Sequence, residues 1–328
     1  MDGELGKLAE DFKAGKKLAL ARAISLVEGR KLPIGKFIEE VSQDRPYVRR
    51  IGVTGPPGAG KSTLIASLAS LFRSNGEQVG ILAVDPTSPF SGGALLGDRV
   101  RMNDLSQDPG VFIRSAASRG SVGGLSSHSE DIIELMGAFG LTRVIVETVG
   151  VGQTELEVSH LVDSVIVLLV PESGDGVQMM KAGLLEIADI FTINKSDRPG
   201  ADLLLANLEI SLQISLKNRW KDENGYGWKV PVVKTVATLG EGVQELLVQL
   251  NEHHEFLKNA NQLELFHTER MTRKIRQEVT RHVYKSIWED PEVLSLVKVG
   301  LAGISAGETT AYAVSQAILE RFENCKKS

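Results

Sequence analysis

The sequence predicts an α/β fold: a doubly wound, mostly parallel sheet with helices on both faces and helical extensions at each end. Three observations predict it. A glycine-rich loop joins an apolar strand to a helix between Ile51 and Leu71, and apolar β-rich runs then alternate with helical stretches as far as residue 258. Beyond that point the strand pattern stops and only helical periodicity continues. The 328 residues therefore divide into an N-terminal helical segment (1–46), a sheet domain (47–258) and a C-terminal helical arm (259–328).

Taken in order, residues 4–29 place Leu5, Leu8, Phe12, Leu18, Ala21, Ile24 and Val27 among charges, the pattern of an amphipathic helix or helix pair. Gly29 and Pro33 punctuate it, and a short helix is expected over Ile34–Val41. Ile51-Gly52-Val53 reads as a strand, followed by a helix with Leu64, Ile65, Leu68 and Leu71 at helical spacing. Further strands are expected at Val79–Val84, Val111–Ile113, Arg143–Glu147, Ser164–Val170, Ile190–Asn194 and Pro231–Val236. Helices are expected at Ser129–Phe139, Val177–Ile187, Leu203–Trp220 and Val243–Leu257. In such a sheet ligands sit at the C-terminal strand ends. From Glu264 to Trp288, Met271, Ile275, Val279, Val283 and Ile287 recur at four-residue steps. Asp290-Pro291 reads as a break, with a second helical segment from about Gly307 to Glu323. This pair reads equally as packing on its own domain or as a dimerisation arm.

Composition narrows the function classes. A formal net charge of -5 argues against nucleic acid as a partner. The single cysteine, Cys325, leaves neither an intrachain disulfide framework nor a cysteine metal cluster. The chain begins acidic, Met1-Asp2-Gly3-Glu4, and no apolar run approaches membrane-spanning length, so a cytoplasmic protein with no membrane partner is expected.

The chemistry lies in the loops. Gly55-Pro56-Pro57-Gly58-Ala59-Gly60-Lys61-Ser62 is a full G-x-x-x-x-G-K-[ST] match in its required strand–loop–helix context. Glycines let backbone N–H groups converge on phosphate oxygens, and the helix presents its amides and positive dipole end to the same anion. Lys61 is the expected β- and γ-phosphate contact and Ser62 the expected Mg²⁺ ligand. After the strand Ile190–Ile193 comes Asn194-Lys195-Ser196-Asp197, an N-K-x-D element whose carboxylate accepts two hydrogen bonds from guanine that adenine does not offer. GTP and GDP are therefore the expected nucleotides, with Thr235-Val236-Ala237 as the loop closing over the base.

On the metal side, Glu147-Thr148-Val149-Gly150 stands where many GTPases carry D-x-x-G, so Glu147 takes the Walker-B position. Asp85, ending its strand, and Asp98, in the following loop, are two further acids placed to serve Mg²⁺ or simply to cap turns. Val151 follows Gly150 where Ras-type enzymes use a water-orienting glutamine, and the nearest candidate is Gln153. Slow intrinsic hydrolysis, accelerated by a partner, is the expectation. Lys181, Arg114 and Arg119 are candidate cationic contributors or solvated charges.

These stretches, with Val84-Asp85-Pro86-Thr87-Ser88, Leu96-Gly97-Asp98-Arg99-Val100-Arg101-Met102 and the leading Ala19–Glu28, together resemble the methylmalonyl-CoA mutase-associated GTPases of the MeaB or ArgK type over roughly residues 15–260. The resemblance implies a homodimeric GTPase that chaperones an adenosylcobalamin-dependent acyl-CoA mutase, gating cofactor loading and protecting or reactivating its partner, which in turn stimulates hydrolysis. It also implies that Lys61, Ser62 and Thr63 belong to the phosphate loop, that Asp85, Asp98 and Glu147 serve magnesium, and that Asn194 and Asp197 read guanine. Gly174–Lys181 then resembles the family's third switch, with Lys181 tied to communication with the mutase. No D-x-H-x-x-G cobalamin motif is present, so the cofactor is expected to be met through the partner.

Three rival readings use the same loop. A metal-insertion GTPase needs cysteine or histidine ligands, and the six histidines show no ligand spacing; His253 and His254 read as surface residues. An ATP-dependent P-loop kinase would need a substrate base, which the sequence does not identify. A nucleotide-binding module without hydrolysis is a third reading, suggested by Val151.

Overall fold

Apolar residues that alternate between two faces of one sheet build the centre of the protein. The computed structural model describes residues 3–29, 31–42, 47–86, 103–118, 126–148, 154–171, 183–215 and 227–325. Its strands are β1 (Arg49–Thr54), β2 (Val79–Pro86), β3 (Val111–Ser118), β4 (Arg143–Thr148), β5 (Ser164–Leu169), β6 (Ile190–Asn194) and β7 (Val232–Thr235). All neighbours are parallel, in the order β3-β2-β4-β1-β5-β6-β7. The expected fold class is thus the observed one, with the sheet parallel throughout. The chain runs from β1 to β2 on one side and crosses from β4 to β5 on the other, so β1 lies at the switch point where such folds open a ligand crevice.

Each face has its own core. Ile51 and Val53 of β1, Ile145 of β4 and Ile166 of β5 pack with α4 (Lys61–Ser74) and α7 (Val243–Asn259). The alternate residues, among them Val144, Val146, Val165 and Val167, pack on the opposite face with α1 (Gly3–Lys13), α2 (Lys17–Glu28), α3 (Ile34–Val41), α5 (Ser126–Ala138) and α6 (Ala201–Ser215). The N-terminal residues fold as a helix pair turned at Gly15 (φ 73°), followed by the expected third helix. Phe12 meets Phe37 and Phe139 edge-on at 5.4 and 5.2 Å, which locks α1 to α3 and to the end of α5. Lys17 Nζ donates to the carbonyls of Asp108 and Val111, both at 2.6 Å, and Arg114 pairs with Glu28, so α2 is pinned along edge strand β3.

The histidine expectation needs correction. Successive helical residues diverge by about 100°, so one of His253 and His254 turns inward. His253 is fully buried: its Nδ1 lies 2.8 Å from Ser164 Oγ, its ring 4.7 Å from that of Trp228, and its Nε2 3.6 Å from Asp189 Oδ1. His254 is half-buried beside Tyr47, with ring centroids 6.0 Å apart. Both sit at the end of the sheet where the strands begin, far from the loops that carry the motifs.

Compact packing divides the chain into Met1–His267 and Thr268–Ser328. The second unit contains most of α8 (Gln262–Trp288), then α9 (Pro291–Ala306) and α10 (Ala311–Cys325). Residues 291–306 form a helix where Asp290-Pro291 reads in the sequence as a break. Here the proline occupies the first turn, where its missing N–H costs nothing, and the Asp290 carboxylate caps the helix by accepting from Glu292 N at 2.8 Å. Gly307 (φ 74°) ends α9, and Gly300 gives α10 its close approach: a Cβ there would lie 2.5 Å from Val314. Arg321 returns to Asp290 at 3.0 Å, closing the hairpin. Among the described residues, no helix is long and apolar enough to cross a membrane.

Candidate functional site

The phosphate loop begins at a position only glycine fits. Gly55 leaves β1 at φ 140°, and a Cβ there would sit 2.2 Å from the Leu168 carbonyl oxygen of β5. Gly60 (φ 94°) caps α4, where a Cβ would stand 2.5 Å from Asn194 Nδ2. Lys61, the first residue of α4, is buried and donates from Nζ back to the loop carbonyls of Gly55 at 2.9 Å and Pro56 at 3.1 Å. The ammonium thus lies across the mouth of the loop, at the N-terminus of a 14-residue helix.

Register brings the acid to the same place. Val53 pairs with Glu147, so β4 delivers this carboxylate beside the start of the loop. Ser62 Oγ donates to Glu147 Oε1 at 2.8 Å, both residues being buried, and Thr148 Oγ1 donates to Thr54 Oγ1 at 2.9 Å just beyond. A hydroxyl and a carboxylate in contact are hard oxygen donors of the kind Mg²⁺ takes while keeping several waters, so this pair fits the cation. Asp85 is the penultimate residue of β2, which the order places beside β4; Asp98 lies outside the described residues. Among the described residues no group of three or more His, Cys, Asp or Glu is placed to hold a metal.

The base-side elements are tied to the phosphate side by one amide. Asn194, at the end of β6, is 3% exposed. Its Nδ2 donates to Ala59 O at 2.8 Å, while its Oδ1 accepts from Ala237 N at 3.0 Å and from Thr235 Oγ1 at 3.2 Å. Lys195, in the left-handed region at φ 54°, donates from Nζ to Gly58 O at 3.0 Å, and Ser196 N donates to Thr235 O at 3.1 Å. Asp197 is left exposed beyond these ties. Val236 and Ala237 are buried in the turn after β7, closed by Gly242 (φ 73°), where a Cβ would lie 1.9 Å from Lys234 O.

The structure therefore brings together residues 55–63, Glu147, Asn194, Lys195, Asp197 and Thr235–Ala237 at the C-terminal ends of β1, β4, β6 and β7. Gln153, Lys181 and Arg119 lie outside the described residues, and Arg114 is engaged by Glu28 and Ser25 on α2. Sequence reasoning missed Ser67 of α4, whose Oγ donates to Ala237 O at 2.9 Å; a lone helical serine carries no spacing signal. A groove of about 610 Å³ lined by Glu209, Trp228, Pro231 and Gln249 lies at the start of β7, the opposite end of that strand from Thr235, and contributes nothing to the site.

Comparison with known proteins bears on this arrangement. The family described as "Methylmalonyl Co-A mutase-associated GTPase MeaB" matches residues 20–292. A Pyrococcus horikoshii protein is 43% identical over 301 residues, covering 89% of this chain and 92% of its own. GTPase ArgK of Escherichia coli is 33% identical over 297 residues, 89% of this chain and 88% of its own. The mouse mitochondrial methylmalonic aciduria type A homolog is 35% identical over 258 residues, 74% of this chain and 61% of its own. Among solved structures, a LAO/AO transport system kinase superposes with a TM-score of 0.68 at 23% identity, covering 98% of this chain and 99% of its own, which speaks to the fold alone.

Proposed function

The chain belongs to the methylmalonyl-CoA mutase-associated GTPase (MeaB) family, and from that premise we propose that it is a GTP-hydrolysing chaperone of an adenosylcobalamin-dependent acyl-CoA mutase. The observation that carries the nucleotide half of this reading is the Asn194 amide, bonded at once to Ala59 of the phosphate loop and Ala237 of the base loop. It ties the N-K-x-D element to the P-loop, so that the base side and the phosphate side of a guanine nucleotide site would be held together. Lys61 and the α4 amides bind the β- and γ-phosphates, and Asp197 reads the guanine edge. Ser62 and Glu147 would hold Mg²⁺, with Asp85 and Asp98 completing its surroundings; when bound, the ion neutralises charge on the transferred phosphoryl group. Gln153 and Lys181 are assigned to water positioning and to signalling toward the mutase.

The partner half of the reading is supported by the family description and by the mouse relative's name. Homodimerisation is supported by the second compact unit, which leaves Ile275, Val279, Tyr284, Val299, Leu301 and Tyr312 between 57% and 81% exposed, more apolar surface than a solvated helix face needs. The protein works in the cytoplasm, beside its mutase.

Steady-state hydrolysis of GTP and ATP by the purified chain, alone and with a panel of adenosylcobalamin mutases, tests the reading. The expected result is a slow, GTP-selective rate that one mutase raises at least about tenfold, equivalent to roughly 1.4 kcal/mol of barrier. Preference for ATP would overturn the base assignment, and indifference to every mutase would overturn the partner assignment.

A further inference from the structure

We propose that Ser67 is a positioning residue for guanine recognition, the strut by which the phosphate-loop helix sets the place of the base loop. The inference rests on the reading of the site as a GTP site and assigns a residue that no motif marks. Ser67 lies six positions after Lys61 on α4, about 9 Å along a helix whose first turn forms the phosphate end. Its Oγ has one proton and two carbonyls in reach: Thr63 O of its own helix at 3.2 Å and Ala237 O at 2.9 Å. The shorter bond crosses to the base loop. Ala237 is thereby held at both polar groups, its N–H by Asn194 of β6 at 3.0 Å and its carbonyl by Ser67 of α4; the turn bond it receives from Gly240 is longer, at 3.4 Å.

The consequence is geometric. Asn194 and Ser196 tie the loop to the end of β6, and Ser67 ties the same loop to the helix that carries the phosphate end. The bond from α4 holds the Ala237 carbonyl in place before the base arrives, so less ordering is left to the moment of binding. Ser70, three residues further on, is the internal contrast, since its hydroxyl bonds back to Ala66 O at 3.0 Å within the helix.

The test uses the full chain and four proteins: wild type, Ser67→Ala, Ser67→Thr and Ser70→Ala. GDP and ADP affinities are measured by titration calorimetry, and kcat and KM by GTP turnover. In Ser67→Ala, the Kd for GDP and the KM for GTP are expected to rise about fivefold, the loss of one ordinary hydrogen bond. The kcat at saturating GTP and the weak ADP affinity are expected to hold, so base selectivity narrows. Ser67→Thr keeps the hydroxyl and restores GDP affinity, and Ser70→Ala matches wild type. Unchanged GDP affinity in Ser67→Ala overturns the proposal, as does an equal fall for GDP and ADP, or an equal fall in Ser70→Ala. Should Ser67→Ala fail to fold, Ser67→Cys, with its weak thiol donor, carries the same expectations. Wild-type protein that does not prefer GDP to ADP would overturn the GTP-site reading itself, an outcome distinct from a selective wild type with an unaffected Ser67→Ala.

Discussion

Asn194→Ala is the perturbation that probes the site most directly. The side chain is buried and makes three hydrogen bonds, to Ala59 O, Ala237 N and Thr235 Oγ1, at 2.8, 3.0 and 3.2 Å. At about 1 kcal/mol net for each bond, truncation costs roughly 3 kcal/mol, and groups left unsatisfied in the gap push that figure upward. With a urea dependence of about 3 kcal/mol/M, the unfolding midpoint falls by roughly 1 M. GDP affinity falls as well, because the two loops then have to be ordered during binding. Asn194→Asp separates the parts: it keeps an acceptor for Ala237 and Thr235 but turns a carboxylate oxygen toward the Ala59 carbonyl, so GDP binding falls while part of the stability returns. Urea unfolding and GDP calorimetry on the three proteins give the answer. Midpoints and Kd values for Asn194→Ala that match wild type would falsify the claim that this amide joins the two loops.

Three further outcomes follow from the geometry. Gly55→Ala forces a Cβ to 2.2 Å from a backbone oxygen at φ 140°, so a loss of more than about 3 kcal/mol is expected, read as a collapse in melting temperature; a melt within a few degrees of wild type refutes the tight passage. Glu147→Gln keeps an acceptor for Ser62 but removes the charge, so Mg²⁺-dependent GTP hydrolysis should fall at least about tenfold while GDP binding measured without Mg²⁺ holds; an undiminished rate argues against a metal role. His254 is held down to about 4 from an ordinary 6.5, first by burial and then by Arg49. Its neutral form is favoured in the fold, so its contribution is whole above pH 6.5 and is lost as pH falls toward 4, where the unfolded chain takes up a proton that the folded chain refuses. Urea midpoints at pH 7 and pH 5 should differ less in His254→Gln than in wild type, and an identical pH difference would rule the assignment out.

What could be read from the sequence was whatever repeats at short range. The strands were legible because buried parallel strands are continuous apolar runs, and Ile190–Asn194 has the expected bounds. The phosphate loop was legible because its glycines answer local sterics. The N-terminal pair and Ile34–Val41 followed from helical spacing. The helix at Pro291–Ala306 was not, since a proline reads alike as a stop and as a first turn until the cap before it is weighed. His253 was misplaced because adjacent helical residues look equivalent in a string, and only packing against Ser164 and Trp228 distinguishes them. The ties made by Asn194 and Ser67 join residues with no periodic relation, so nothing in the string announces them.

Those ties also fix an order of assembly. Asn194 reaches back to Ala59 across 135 residues, and Ser67 waits for Ala237 across 170. β1 itself pairs with β4 and β5, both made long after it. During synthesis the segment that carries the phosphate loop therefore emerges early but has neither its strand partners nor its braces, and contacts of such separation close late. On the proposed reading of the site, nucleotide competence waits for residues 1–237: an amino-terminal fragment ending before Ala237 lacks the base loop that Asn194 and Ser67 brace.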